Sequence, residues 1–229
     1  LKAAMRKEPA NPNNTMLLVN LGTVQRNLGK YDDALTSYNV AIGKYPDIAY
    51  LLHSRAALLC EMNKLNDALK DYTAIIQSYP NDIEALYRRG LIYMSNKLPA
   101  AAEEDFKKIS ELEPDNLLGK AALARLMKRQ GEWEKAEELY TDLIYKNKMN
   151  SDLYFNRAEC YLQMKKLARM QEDLMKASEY GYNEYPLFIL RGQLRLAQYD
   201  KRMAKEDFLK AQEMGADPKV IEDLLRLCK

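Results

Sequence analysis

A fixed step of 34 residues runs through this chain of 229. Pro12, Pro46, Pro80 and Pro114 stand one step apart, and the same step links Ala34, Ala68, Ala102 and Ala136 and then, past Met170, Ala204. Gly22, Ala56, Gly90, Ala124, Ala158 and Gly192 form a second ladder. Tyr38, Tyr72, Phe106, Tyr140, Leu174 and Phe208 form a third. A period between about 20 and 50 residues marks stacked units that cannot bury their apolar faces alone, which excludes a conventional single-core domain. The units run 15–48, 49–82, 83–116, 117–150, 151–184 and 185–218 with no insertion.

Each unit reads as a helical hairpin, because apolar residues recur three and four apart on both sides of a polar break near its fifteenth place. In the first unit Leu18, Leu21 and Leu28 share one face, Gly29 supplies a permissive turn, and Tyr31, Leu35, Tyr38 and Ile42 begin a second face that Pro46 ends. Small residues at places eight and twenty let the two helices approach, and the large residue at place twenty-four fills the space beside them. With 9 Gly and 8 Pro the chain has little to build loops from, so the expected fold is all-α.

This pattern resembles the tetratricopeptide repeat family, whose signature sets a small residue at place eight, Ala at twenty, an aromatic at twenty-four and Pro at thirty-two. The last three units depart from it with Lys148, Tyr182 and Ala216 at the proline place, and the fifth with Met170 at the alanine place. The resemblance implies a right-handed superhelical solenoid of antiparallel helix-turn-helix repeats whose first helices line a concave groove for peptides or proteins. Residues 1–14, with one short helical stretch over Leu1–Glu8, are expected to be the second helix of a truncated preceding repeat, so that the chain begins inside a longer protein. Residues 219–229, with Val220, Leu224 and Leu225 in helical spacing, are expected to cap the last hairpin.

Arg55, Arg89, Arg157 and Arg191 hold place seven of four units, and in each an aspartate follows 16 residues later: Asp71, Asp105, Asp173 and Asp207. The two units with Leu21 and Leu123 at that place carry Ser37 and Leu139 instead. Places seven and twenty-three face each other across a hairpin centred between fifteen and sixteen, which predicts four Arg–Asp pairs.

Chemistry-bearing constellations are absent from the sequence. One histidine, His53, and three scattered cysteines, Cys60, Cys160 and Cys228, give neither a metal-ligand set nor a disulfide framework. No phosphate-binding glycine loop or nucleophile motif occurs, so no catalytic residue, metal or cofactor is assigned. Apolar runs such as Met16–Val19 fall far short of the ~20 residues a membrane span requires. Lys plus Arg (35) nearly balances Asp plus Glu (33), which argues against the basic stripe of a nucleic-acid binder.

If the family geometry holds, places two, five, nine, twelve and thirteen point into the groove. The peptide-contacting residues are then Tyr50, His53, Tyr87, Leu91, Arg125, Lys128, Arg129 and Phe155, with Arg88 reaching in beside Tyr87. Aromatics beside cations suit a segment with apolar side chains and an acidic group. A subgroup of the family clamps chaperone C-terminal carboxylates with Lys and Asn, then Asn, then Lys and Arg in successive units. Here the matching places hold Val19, Thr23, Ser54, Glu84 and Arg88, or in the next frame His53, Ala57, Arg88, Leu118 and Ala122, which argues against a chaperone tail as partner. The expected function is therefore a non-catalytic protein-interaction scaffold. The alternatives are an RNA-reading helical array and a regulatory domain attached to an enzyme elsewhere in a longer protein.

Overall fold

The computed structural model describes residues 13–229, so the helix expected over Leu1–Glu8 lies outside the described residues. Among them are thirteen helices and no strand. The first unit of the fold, which ends at Gly119, contains α1 (Asn13–Asn27), α2 (Tyr31–Lys44), α3 (Ala49–Glu61), α4 (Leu65–Ser78), α5 (Ile83–Ser95) and α6 (Pro99–Leu112). The second begins at Lys120, near the start of α7 (Leu117–Gln130). It continues through α8 (Trp133–Lys146), α9 (Ser151–Gln163), α10 (Leu167–Glu179), α11 (Tyr185–Ala197), α12 (Lys201–Glu213) and α13 (Pro218–Arg226).

Within the first unit α1 packs on α2, α3 on α4 and α5 on α6, and α2–α3 and α4–α5 contacts join the hairpins. Within the second, each helix from α8 onward packs on the next. Links of two or three residues inside each hairpin leave antiparallel packing as the only arrangement. The turn is the same in all six hairpins. Place fifteen is left-handed whether or not it is glycine: Gly29 (φ 71°), Asn63 (57°), Lys97 (58°), Gly131 (81°), Lys165 (57°) and Tyr199 (64°). The next residue's N–H then reaches back five positions, as in Lys30 N to Gln25 O (2.8 Å) and Asp200 N to Arg195 O (2.8 Å), the closure of a Schellman motif.

That motif also explains how two units end a helix without the usual proline. Gly181 and Gly215 both adopt φ 96°, and Tyr182 N and Ala216 N donate to Ala177 O and Ala211 O at 2.9 and 3.0 Å. Starts are set at the last place of the preceding unit: Asp82 Oδ1 accepts from Ala85 N (2.8 Å) and Asn116 Oδ1 from Gly119 N (2.9 Å).

The core is built from the ladders. Tyr38, Tyr72, Phe106, Tyr140, Leu174 and Phe208 are buried, each in its own hairpin. The approach is close: a Cβ added at Gly90 would lie 2.5 Å from Phe106 Cε1. Where Met170 replaces the usual alanine it is fully buried, and the fifth unit compensates with Leu174 in place of an aromatic ring. Volume moves between two adjacent core places while the hairpin keeps its geometry. At the C-terminus the seam differs from the expectation. Val220 is exposed and Ile221 is fully buried against Phe208, Ala211 and Ala216, because the helix starts at Pro218 and turns the next residue inward.

Candidate functional site

All four Arg–Asp pairs form. Arg55 Nε and Nη2 donate to Asp71 at 2.8 and 2.6 Å, Arg89 to Asp105 at 2.9 and 2.6 Å, and Arg157 to Asp173 at 2.8 and 2.8 Å. Arg191 grips Asp207 in the same way, with Nη2 at 2.6 Å. The carboxylates are buried while the guanidiniums keep an edge toward solvent. Burial pushes the Asp105 and Asp173 carboxyls above their ordinary range against the pull of their arginines. Two guanidiniums use the remaining edge to reach the preceding hairpin, Arg55 Nη1 to Asn39 Oδ1 (2.8 Å) and Arg157 Nη1 to Thr141 Oγ1 (2.9 Å). In the four hairpins that have them, these pairs fix the first helix on its partner, and so fix which of its faces looks outward.

In the first unit that outward face carries Tyr50 at the start of α3, with 52% of its surface exposed. One turn on, His53 Nε2 donates to Asp82 Oδ2 (3.0 Å) and its ring meets Tyr72 edge-on at 5.9 Å, so this imidazole is held between α3 and the start of α5. On α5, half-buried Tyr87 leans on Phe106 with ring centroids 6.3 Å apart, and Leu91 is also half-buried. Arg88 is exposed but bonded through Nε to Glu84 Oε1 at 2.8 Å.

In the second unit Arg125 and Arg129 are exposed and make no ion pair among the described residues. Lys128 is not free: its Nζ donates to Asn156 Oδ1 at 2.6 Å and pairs with Glu159 across to α9. Phe155, expected as an anchor, is only 7% exposed and stacks flat on Tyr182 at 4.3 Å. Tyr182 stands at the place where the repeat usually has proline, so the departure that frees that position also covers the phenylalanine.

Sequence reading missed Asp82, Asn156 and Tyr182 as partners of these residues. Only Asp82 carries a local signal, as a helix N-cap. Among the described residues no three His, Cys, Asp or Glu side chains gather as a metal would require, and no helix is long and apolar enough to cross a membrane. The Cys160 thiol is buried and pushed up to about 12, which makes it a core residue and not a nucleophile.

Comparison with known proteins agrees with this architecture. Models described as tetratricopeptide repeat match residues 17–47, 54–116, 93–154 and 151–180. A solved tetratricopeptide repeat protein from Parabacteroides merdae is 40% identical, with a TM-score of 0.70, over 99% of this chain and 89% of that one. The solved protein YrrB, titled a TPR protein with an unusual peptide-binding site, is 17% identical, with a TM-score of 0.67, over 82% of this chain and 97% of its own. RNA polymerase II-associated protein 3 of Xenopus tropicalis is 32% identical over 89 residues, 39% of this chain but only 14% of that protein.

Proposed function

Because the chain belongs to the tetratricopeptide repeat family, we propose that it is a non-catalytic scaffold that binds a protein segment along the outward faces of its first helices. The observation that carries this reading is that Tyr50 is exposed and Tyr87 only half-buried on first helices of the first unit. A solvated helix face has no need of large amphipathic rings, whereas a docked segment takes both contact area and hydrogen bonds from them. Arg88 beside Tyr87 supplies charge-assisted hydrogen bonds to carboxylates, and within the second unit, taken by itself, the unpaired Arg125 and Arg129 offer the same chemistry. The binding residues on this reading are Tyr50, Tyr87, Arg88, Leu91, Arg125 and Arg129, with His53, Lys128 and Phe155 shaping the surface. The Lys128 ammonium is spent on an intramolecular pair with Glu159, which favours a protein partner over a nucleic-acid backbone.

The test is capture from the source cell by wild-type chain and by a Tyr50→Ala/Tyr87→Ala variant. The variant is expected to keep its helical content and to lose the partners that wild type retains. Recovery of every partner by the variant would refute the assignment of this face.

A further inference from the structure

The sixth repeat breaks the arginine pattern in two places, and both changes open the same spot. Elsewhere the neighbour four residues beyond the paired arginine is Leu59, Tyr93 or Tyr161, and the guanidiniums of Arg89 and Arg157 lie over those tyrosine rings at 5.6 and 5.7 Å. Here it is Arg195, whose Nη1 lies 2.6 Å from Asp207 Oδ2. One buried carboxylate thus serves two guanidiniums, Arg191 and Arg195, leaving one positive charge in excess. The second change removes the cap: where Asn39 and Thr141 accept from Nη1, the preceding hairpin offers Met175. Arg89 makes no such Nη1 bond among the described residues either but lies over Tyr93, so the two changes together leave Arg191 the most exposed of the four, its side chain 36% accessible against 24, 18 and 15%.

The result is a cleft of about 490 Å³ between α10, α11 and the guanidiniums. Leu174 and Leu194 form an apolar floor, and Met175, 65% exposed, forms one wall. Gln198 Nε2 donates to Gln171 Oε1 (3.0 Å) at its edge. The one acidic residue lining the cleft, Glu179, is held by Lys176 at 2.7 Å. Arg191 is rigid before anything binds, because its edge is fixed by Asp207 and its face lies 5.0 Å from the Phe188 ring centroid. On α11 these arginines lie about 200° around the helix from Ile189 and Gln193, the groove places, so this cleft is distinct from the first-helix face.

We infer that this cleft is a second docking site, and that its occupant is a protein segment presenting a side-chain carboxylate next to an apolar residue. The excess guanidinium charge selects the carboxylate, the Leu174–Leu194 floor takes the apolar neighbour, and the thioether of Met175 adapts to its shape.

The probe is the peptide acetyl-Leu-Glu-Leu-Glu-Leu-amide, with acetyl-Leu-Gln-Leu-Gln-Leu-amide as its uncharged counterpart, titrated into the ¹⁵N-labelled chain. The Glu peptide is expected to shift the Arg191 and Arg195 Nε–Hε signals, and the Gln peptide is not. Arg195→Tyr and Met175→Thr restore residue types that other repeats hold at those places, so both variants should fold with unchanged helix content. Each should weaken the Glu peptide by about tenfold or more. Tyr50→Ala/Tyr87→Ala should bind it as wild type does, which separates this site from the first-helix face. Absence of those shifts at millimolar peptide would overturn the proposal, as would affinity unchanged in both cleft variants or lost in the tyrosine variant.

Discussion

An arginine–aspartate pair whose carboxylate is withdrawn from water stabilises a hairpin as a pair and destabilises it as two halves. Removing one partner of such a pair costs roughly 3–5 kcal/mol, whereas replacing both by packed apolar groups is often neutral. The chain contains its own control, since the fourth repeat holds Leu123 and Leu139 at the two places. Arg89→Leu is therefore expected to lose roughly 3–5 kcal/mol in urea unfolding, and Arg89→Leu/Asp105→Leu to recover most of it. The single variant also acquires a pH signature. Burial already pushes the Asp105 carboxyl up, and without Arg89 it rises further, so the folded state holds that proton more tightly than the unfolded chain. Stability from such a group is present below the unfolded carboxyl pKa, about 4, and is lost as pH rises through the folded one, so the deficit against wild type should widen from about pH 4 to 7. A pH-independent deficit would contradict this account. These pairs were legible because a 16-residue spacing across a known turn fixes opposition. The cover on Phe155 was not, because its partner Tyr182 lies where the repeat pattern expects proline.

The hairpin turn imposes one backbone conformation on six different residues, and only Gly29 and Gly131 adopt it without steric cost. A side chain in the left-handed region costs about 1–2 kcal/mol, offset in part by the chain entropy that a glycine adds to the unfolded state. Lys97→Gly is then expected to stabilise by up to about 1 kcal/mol and Gly131→Ala to destabilise by about 1–2, both read from thermal unfolding. The opposite signs would show that the turn is not what limits these hairpins. The position of each turn was legible from register alone, even at Asn63, Lys97, Lys165 and Tyr199, where no glycine marks it. The face of the last helix was less so. Periodicity at Val220, Leu224 and Leu225 fits two adjacent faces, and the choice of Ile221 depends on where Pro218 starts the helix.

For the molecule as a whole, the repeat specifies the fold and its departures specify the surface. Twelve helices of six similar hairpins would offer similar faces if every place repeated, yet Tyr50, Tyr87, Arg125 and Arg129 differ from their counterparts in the other units. Sequence placed these residues on first helices, where the structure also has them. It could not show that Lys128 is already engaged, because Glu159 reaches it from the next first helix through side-chain geometry, whereas the Glu84–Arg88 pair follows from i,i+4 spacing on one helix. On the proposed function, binding uses the first helices of the second to fifth hairpins. Hydrogen–deuterium exchange of the full chain with and without a captured partner tests it most directly. Slowed exchange in α3, α5, α7 or α9 is the predicted result; protection confined to α2, α4, α6 and α8, with the first helices unchanged, would contradict it.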